Sequence, residues 1–144
     1  MGTDFPPVRR GRVKDQETSL VLEKVVTAIE ALFKFLRPLA QPEPWKDITL
    51  ATGWATYTTA LDQTVPQYRK TPLGLVELRG TVAGAGDPLT QLPEGYRPTK
   101  VHNFPVPGNS AFAVVAVEED GKVRLVTGLG GTKLSLDSIR FEVT

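Results

Sequence analysis

With 144 residues, the chain has room for one domain, or for one domain with an appendage. Its 17 Lys and Arg residues balance 16 Asp and Glu, and a net charge of +1 gives no strong field to attract nucleic acid or an anionic membrane. The absence of cysteine and the single histidine exclude disulfide scaffolds, cysteine nucleophiles and metal sites built on two histidines. No apolar stretch is long enough to cross a membrane.

Residues 1–14 have no apolar periodicity. They contain Phe5-Pro6-Pro7 and then a basic run, in which Arg9, Arg10, Arg12 and Lys14 against Asp4 give a local charge of +3. This composition predicts an extended basic arm over residues 1–14 that becomes ordered against a partner. A frayed chain terminus is the alternative interpretation.

Residues 15–37 carry the pattern that predicts one helix. Asp15 or Thr18 can cap its first turn, and Pro38 disfavours helical geometry at the residue before it. Apolar residues recur at alternating spacings of three and four, the heptad pattern of coiled coils: Leu22, Val25, Ile29, Leu32, Leu36 and Leu39.

The heptad pattern has two interpretations. It fits an oligomerising stalk, and it also fits an amphipathic helix that lies on the core of its own domain. We favour the stalk, because three prolines in residues 38–44 predict a semi-rigid linker between the helix and the rest of the chain. The residues predicted at the oligomer interface are Leu22, Val25, Ile29, Leu32 and Leu36.

The sequence from residue 45 to residue 144 is typical of a β domain. Val76, Leu78 and Val82 alternate with polar residues, and Asp120-Gly121 is a strong hairpin signal. Strands are predicted at 48–51, 54–58, 65–70, 75–82, 111–118, 122–127 and 134–143, the last as a strand pair or one bulged strand. The predicted fold is mainly β: an antiparallel β-sandwich or jelly-roll-like head domain preceded by one N-terminal α-helix.

The chain contains no recognisable catalytic or metal-binding pattern. Glu118, Glu119 and Asp120 are adjacent in the predicted turn, whereas a glycosidase needs two carboxylates on opposite sides of a sugar bond. His102 has no serine elbow nearby, and the glycines at 128–131 are not followed by the Lys-Ser/Thr of a phosphate-binding loop. We therefore expect no enzymatic activity, no cofactor and no metal ion.

Aromatic side chains are better candidates for recognition. Trp and Tyr combine apolar area with a polar tip, which suits stacking on a sugar or anchoring an interface. Many of them must belong to the core of so small a domain. The candidate ligand-stacking residues are Trp54 and Tyr68.

Several motifs follow one another in a characteristic order over residues 45–144. They are Trp45, Gly53-Trp54, Tyr68-Arg69-Lys70, the run from Gly74 to Val82, and Leu92-Pro93-Glu94-Gly95-Tyr96-Arg97-Pro98. In these motifs the chain resembles the carboxy-terminal β domains of bacteriophage tail-fibre, receptor-binding and related virion surface proteins.

The resemblance implies a homotrimeric structural protein of a phage virion, without enzymatic activity, whose β domain faces outward and meets a host receptor or glycan. The N-terminal arm, with Phe5, Arg9, Arg10 and Arg12, would attach the protein to other virion proteins. The segment before residue 45 is short for a tail fibre. A head-fibre or capsid decoration protein without a receptor role is therefore an alternative, and a carbohydrate-binding module of a secreted bacterial protein is another.

Overall fold

The structure, a computed structural model, describes residues 6–109, 111–128 and 132–143, without the side chains of residues 6–15 and of Thr132. The chain divides into two compact units, Met1–Gln41 and Pro42–Thr144. The division falls inside the proline-rich segment 38–44. Within the described ranges, no helix is long and apolar enough to cross a membrane.

The first unit contains one helix, α1 (Pro6–Ala40), which is longer than predicted at both ends. Residues 6–14 are helical, so the prediction of an extended arm is corrected for them. Pro6 and Pro7 are compatible with a helix start, because the N–H groups of a first turn have no intrahelical partner to lose. At the other end, Pro38 removes one helical hydrogen bond, and α1 ends within the same turn.

The second unit consists of antiparallel strands. They are β1 (Lys46–Asp47), β2 (Trp54–Thr56), β3 (Gln67–Lys70), β4 (Leu75–Arg79), β5 (Thr81–Gly84), β6 (Thr90–Gln91), β7 (His102–Pro107), β8 (Phe112–Val117), β9 (Lys122–Thr127), β10 (Thr132–Ser135) and β11 (Arg140–Glu142). Sheet A has the order β1-β3-β4-β11, sheet B the order β6-β9-β8-β7, and sheet C the order β10-β5-β2. The predicted fold class is confirmed: one N-terminal helix and three antiparallel sheets fit a β-sandwich domain.

The three sheets share one hydrophobic core. Val76 from sheet A, Val115 from sheet B and Val82 from sheet C are each 0% exposed and belong to the same cluster. Because side chains alternate along a strand, β4 buries Val76 and Leu78 and turns its other residues toward the outer face. That outer face of sheet A carries the charged side chains of Arg69, Glu77 and Arg79.

Gly80 moves the chain from sheet A to sheet C. Its φ is +95°, and a Cβ at this position would lie 2.5 Å from the carbonyl oxygen of Val65. The N–H of Gly80 donates to Asp137 Oδ1 at 2.8 Å, which holds the bend. The single strand predicted at 75–82 is therefore two strands, and the alternation shifts so that Thr81 is buried next to Val82.

The other strand predictions show what local sequence captures. The hairpin at Asp120-Gly121 is confirmed and connects β8 to β9, with the Gly121 N–H donating to the carbonyl oxygen of Glu118 at 2.9 Å. The strand predicted at 48–51 is reduced to a bridge between Leu50 and Thr90. The short β6 and the proline-containing β7 were not predicted. Prolines are tolerated in β7 because it lies at the edge of sheet B.

Candidate functional site

A cleft of about 290 Å³ opens where β1 and β3 of sheet A lie beside β6 of sheet B. Leu50 bridges to Thr90 there, and the Thr90 hydroxyl donates to the carbonyl oxygen of Thr49 at 2.6 Å, so backbone and side-chain bonds hold the two sheets together. We call this feature the Tyr68 cleft. Its buried apolar lining comes from Ile48 and Leu92, and its polar lining includes Asp47, Tyr68, Gln91 and Arg97.

Tyr68 presents a fixed ring to the cleft. It comes from β3, and its ring meets the ring of Tyr96 edge-on, with centroids 5.0 Å apart and an interplanar angle of 79°. Edge-to-face contacts of this kind hold aromatic rings in place. The Tyr68 hydroxyl makes no hydrogen bond to the described part of the chain, yet it is not a buried unsatisfied group. It is therefore available to a ligand.

Tyr96, which positions Tyr68, is itself held by charged partners. Its hydroxyl donates to Glu43 Oε2 at 2.5 Å and accepts from Lys46 Nζ at 2.5 Å. Lys46 Nζ also lies 3.3 Å from Glu43 Oε2. The hydrogen bond from Tyr96 lowers the pKa of Glu43, and burial raises the pKa of Tyr96. These bonds tie the segment before β1 to the ring that supports the cleft.

Arg97 contributes a positioned cation to the cleft. Its Nε donates to the carbonyl oxygen of Leu92 at 2.9 Å, inside the sharp corner that residues 92–98 form. Gly121 makes room for the side chain, because a Cβ at that position would lie 2.8 Å from Arg97 Nε. The terminal nitrogens of the guanidinium group make no hydrogen bond to any described residue. They remain as donors for a ligand.

Asp47 and Gln91 complete the polar lining. Asp47 Oδ1 accepts from Gln67 Nε2 at 2.7 Å, and Gln91 Nε2 donates to the carbonyl oxygen of Asp120 at 3.0 Å. Each bond fixes one end of a planar side chain. The Asp47 carboxylate lies with Gln67 on the other face of the sheet from Tyr68, so the ring has the amide and the guanidinium group as polar neighbours in the cleft. An aromatic ring with such neighbours can stack on a sugar and hydrogen-bond its hydroxyl groups.

The structure separates the two predicted stacking residues. Tyr68 lines the cleft, whereas Trp54 belongs to the core, with 7% of its surface exposed. The indole Nε1 of Trp54 donates to the carbonyl oxygen of Gly86 at 3.0 Å, so its polar atom already has a partner. A ring buried on this scale offers no open face to a sugar, and the structure does not support Trp54 as a stacking residue.

The predicted interface residues lie along α1 on an exposed surface. Their exposed fractions are 58% for Leu22, 48% for Val25, 46% for Ile29, 54% for Leu32 and 42% for Leu36. All the described side chains of this helix, from residue 16 to residue 40, are exposed.

The predicted attachment residues cannot be placed in the same way. Phe5 lies outside the described residues. Arg9, Arg10 and Arg12 lie in the helical backbone of α1, and their side chains are outside the description.

The carboxylates of the predicted turn have partners near them in the chain. Glu118 Oε1 lies 3.0 Å from Arg124 Nη1, and Asp120 Oδ2 lies 2.9 Å from Lys122 Nζ. Within the ranges that the structure describes, no three His, Asp or Glu side chains converge as metal ligands would.

Sequence reasoning did not identify Asp47, Gln91 or Arg97 as site residues. For Arg97 a signal existed, because two prolines and a glycine in residues 92–98 indicate a rigid corner that would fix its direction. For Asp47 and Gln91 no local signal exists. They reach the cleft because two sheets meet there.

No family model matches the chain, and no curated protein matches it in sequence. Among solved structures, the receptor binding protein gp15 of Listeria phage PSA is similar to it, with a TM-score of 0.63 and 14% sequence identity. The similarity covers 96% of this chain and 88% of that protein. At this level of identity, the similarity is one of fold.

Proposed function

We propose that the protein is a receptor-binding protein of a bacteriophage virion, without enzymatic activity, whose β domain faces outward and binds a host-surface glycan. The observation that carries this proposal is the similarity of fold to a phage receptor-binding protein over 96% of the chain. The motif resemblance of residues 45–144 points to the same class of protein. The N-terminal segment, with Phe5 and the arginines after it, is the part we assign to attachment on the particle.

The Tyr68 cleft is the glycan site in this proposal. Tyr68 offers a ring whose orientation Tyr96 fixes, and Arg97 offers the terminal N–H groups of its guanidinium group as donors. Fixed side chains lose little conformational entropy on binding, which favours recognition of a flexible saccharide. The cleft is small and open, so we expect it to take one or two sugar units of a longer chain.

Self-association through α1 is the second part of the proposal. In the heptad pattern, Leu22, Ile29 and Leu36 occupy one repeating position, and Val25, Leu32 and Leu39 occupy the other. The flanking positions are apolar as well, with exposed fractions of 60% for Val21, 51% for Val26, 61% for Phe33 and 70% for Phe35.

The width of this apolar stripe favours a bundle of more than two helices. A two-stranded coiled coil buries a narrow seam and leaves the flanking positions in water, whereas a bundle of more helices buries them too. The charged residues Glu23, Glu30 and Lys34 fall on the opposite side of the helix, where they face solvent in either arrangement. The motif resemblance implies three copies, and we therefore propose a homotrimer of parallel α1 helices.

A glycan array of bacterial surface polysaccharides, probed with the labelled full chain, tests the cleft. We expect Tyr68→Ala to weaken binding about threefold to tenfold through lost stacking, and Arg97→Gln to weaken it about tenfold or more. Tyr57→Ala is the matched control, because Tyr57 is an exposed tyrosine that does not line the cleft.

Arg97→Gln is a second variant that does not change the Tyr68 ring, and the melting temperature of each variant shows whether it folds as the unchanged protein does. Binding by the unchanged protein that neither substitution weakens would exclude the Tyr68 cleft as the site. The absence of binding to every glycan of the array would contradict the proposed glycan specificity.

A further inference from the structure

A second polar surface lies on the outer face of sheet A, around Trp45. The register of β3 and β4 pairs Gln67 with Arg79 and Arg69 with Glu77, so these four side chains share one face. The guanidinium carbons of Arg69 and Arg79 lie 4.2 and 4.1 Å from the centroid of the Trp45 ring. One indole thus holds two cations close together.

The two cations differ in their partners. Arg69 Nε lies 2.9 Å from Glu77 Oε2, and Glu77 Oε1 also lies 2.6 Å from Arg140 Nη2, so one carboxylate serves two arginines. Arg79 instead donates from Nε and Nη2 to the neutral Gln67 Oε1, at 2.9 and 2.5 Å. No carboxylate of the described residues forms an ion pair with Arg79. Its charge is therefore not neutralised locally.

The direction of Arg79 is nevertheless fixed. Gln67 Nε2 donates to Asp47 Oδ1 at 2.7 Å, which orients the amide so that its oxygen faces Arg79. Together with the Trp45 ring, this bond holds the guanidinium plane in one place. Nη1 is left without a hydrogen-bond partner among the described residues. A preorganised guanidinium group whose charge is not neutralised is well suited to bind an anion.

Open space lies beside this cation. A hollow of about 420 Å³ is lined by Arg79 and Gln67 together with Gln63, Thr64 and Val65. The nearby Asp62 accepts the N–H of Thr64 at 2.9 Å and does not line the hollow. The hollow therefore presents one cation and several neutral polar groups.

We infer that this hollow binds an anionic group, a carboxylate or a phosphate ester on a saccharide, with Arg79 as its principal contact. The inference goes beyond the proposed function, because the hollow is lined by other residues than the Tyr68 cleft and does not need that cleft to bind. Trp45 and Gln67 position Arg79, and the planar guanidinium group can give two parallel N–H donors to one anion.

Titration calorimetry with the full chain tests the inference with two ligand pairs that differ in charge. Tetragalacturonate and its methyl ester form the carboxylate pair, and maltotetraose with and without a 6-phosphate forms the phosphate pair. The unchanged protein should bind at least one charged ligand more tightly than its neutral counterpart, and added salt should reduce the difference. The pair that shows the difference identifies the anion.

Substitutions test whether Arg79 causes the difference in affinity between the charged and the neutral ligand. Arg79→Gln should weaken binding of the charged ligand about tenfold or more, and Arg79→Lys should restore part of it, because the charge returns without the planar fork. Arg140→Gln is the matched control: it removes an equal charge from the same sheet, but from an exposed arginine that is already ion-paired. Tyr68→Ala should leave the difference within each ligand pair unchanged.

An NMR measurement on the unchanged protein needs no substitution, so a folding defect of a variant cannot affect it. In the unchanged protein, the Nε–H resonance of Arg79 should shift with the charged ligand and not with the neutral one. Equal binding of both members in both ligand pairs would overturn the inference. Equal losses in Arg79→Gln and Arg140→Gln would also overturn it, since they would mean general charge attraction.

Discussion

Gly80 shows how one residue directs the chain between sheets. A positive φ of +95° is easy for glycine and strained for any other residue. The Val65 carbonyl oxygen also occupies the space that a side chain would need. Both conditions together let β4 end in sheet A and β5 begin in sheet C without a loop. The core residues Val76 and Val82, on either side of the bend, depend on it.

Gly80→Ala should therefore destabilise the β domain by more than about 1 kcal/mol, the usual range for an alanine forced to a positive φ. Gly95→Ala is the control, because its φ of +84° is similar while a Cβ there would meet only the end of the Lys70 side chain, at 3.9 Å. Urea unfolding curves measure the free energy of unfolding of both variants. Equal losses of unfolding free energy in the two variants would show that the close approach to the Val65 carbonyl oxygen adds no destabilisation.

Glu43 provides a pH-dependent test at the same scale. Hydrogen bonding from Tyr96 lowers the pKa of Glu43 from its ordinary 4.5. The ionised carboxylate is thus favoured in the folded state, and its contribution is present above 4.5 and lost as the pH falls through the lower folded value. Since the Glu43 side chain is 39% exposed, solvent screens its interactions, and we expect a contribution of less than about 1 kcal/mol.

Urea midpoints measured on both sides of pH 4.5 should therefore fall more steeply with acid in the unchanged protein than in Glu43→Gln. Glu94→Gln is the comparison, because Glu94 is exposed and has no ion pair among the described residues. Identical pH profiles for the unchanged protein and Glu43→Gln would argue against a stabilising role for this network.

At the scale of elements, α1 and β7 illustrate opposite relations between sequence and structure. The helix follows its heptad period, and the residues at the heptad positions lie exposed along one side. β7 forms despite Pro105 and Pro107, because its place at the edge of sheet B leaves one row of N–H groups without a partner strand. Periodicity predicts an element from its own residues, whereas an edge position depends on the neighbouring strands.

Ile29→Asp tests the stripe of α1. In a packed bundle the new carboxylate would be buried without a partner, at a cost of several kcal/mol per subunit. We expect the oligomer to dissociate at concentrations where the unchanged protein stays assembled, while the circular dichroism of the β domain persists. Light scattering measures the mass. Thr27→Asp adds the same charge on the opposite side of the helix and should leave the oligomer intact.

If Ile29→Asp and the unchanged protein have the same mass and the same melting temperature, the stripe is not an interface between copies.

At the scale of the whole molecule, the two units divide the proposed functions. α1 offers an apolar surface suited to other copies, and the β domain carries the Tyr68 cleft and the hollow beside Arg79. Three copies would bring three clefts to one particle-bound assembly. Weak saccharide contacts then add through effective concentration, which is how a small cleft can support firm attachment.

The mass of the full chain in solution is the corresponding prediction. A homotrimer should scatter light as about three times the chain mass of 15.7 kDa at micromolar concentration. The mass should stay constant on moderate dilution, because a wide apolar interface dissociates only at low concentration. A particle of one chain mass, or of two, would contradict the proposed trimer.

The sequence by itself determined the features that depend on residues close together in the chain. The helix with its apolar stripe, the hairpin at Asp120-Gly121 and the buried side of 75–79 all follow from short-range periodicity and turn chemistry. Tyr68 was also identified as a candidate from residue type. The same reasoning also selected Trp54, because residue type alone does not tell a buried aromatic from one that is partly exposed.

Only the tertiary structure decided which side chains meet. Arg97 reaches the Tyr68 cleft because sheets A and B join near Leu50 and Thr90, which are far apart in the chain. Arg79 lacks a carboxylate partner because the strand register gives it Gln67 and gives Glu77 to Arg69. Burial of Trp54 and the bend at Gly80 have the same origin. Each depends on strand pairing between distant segments, which no local pattern encodes.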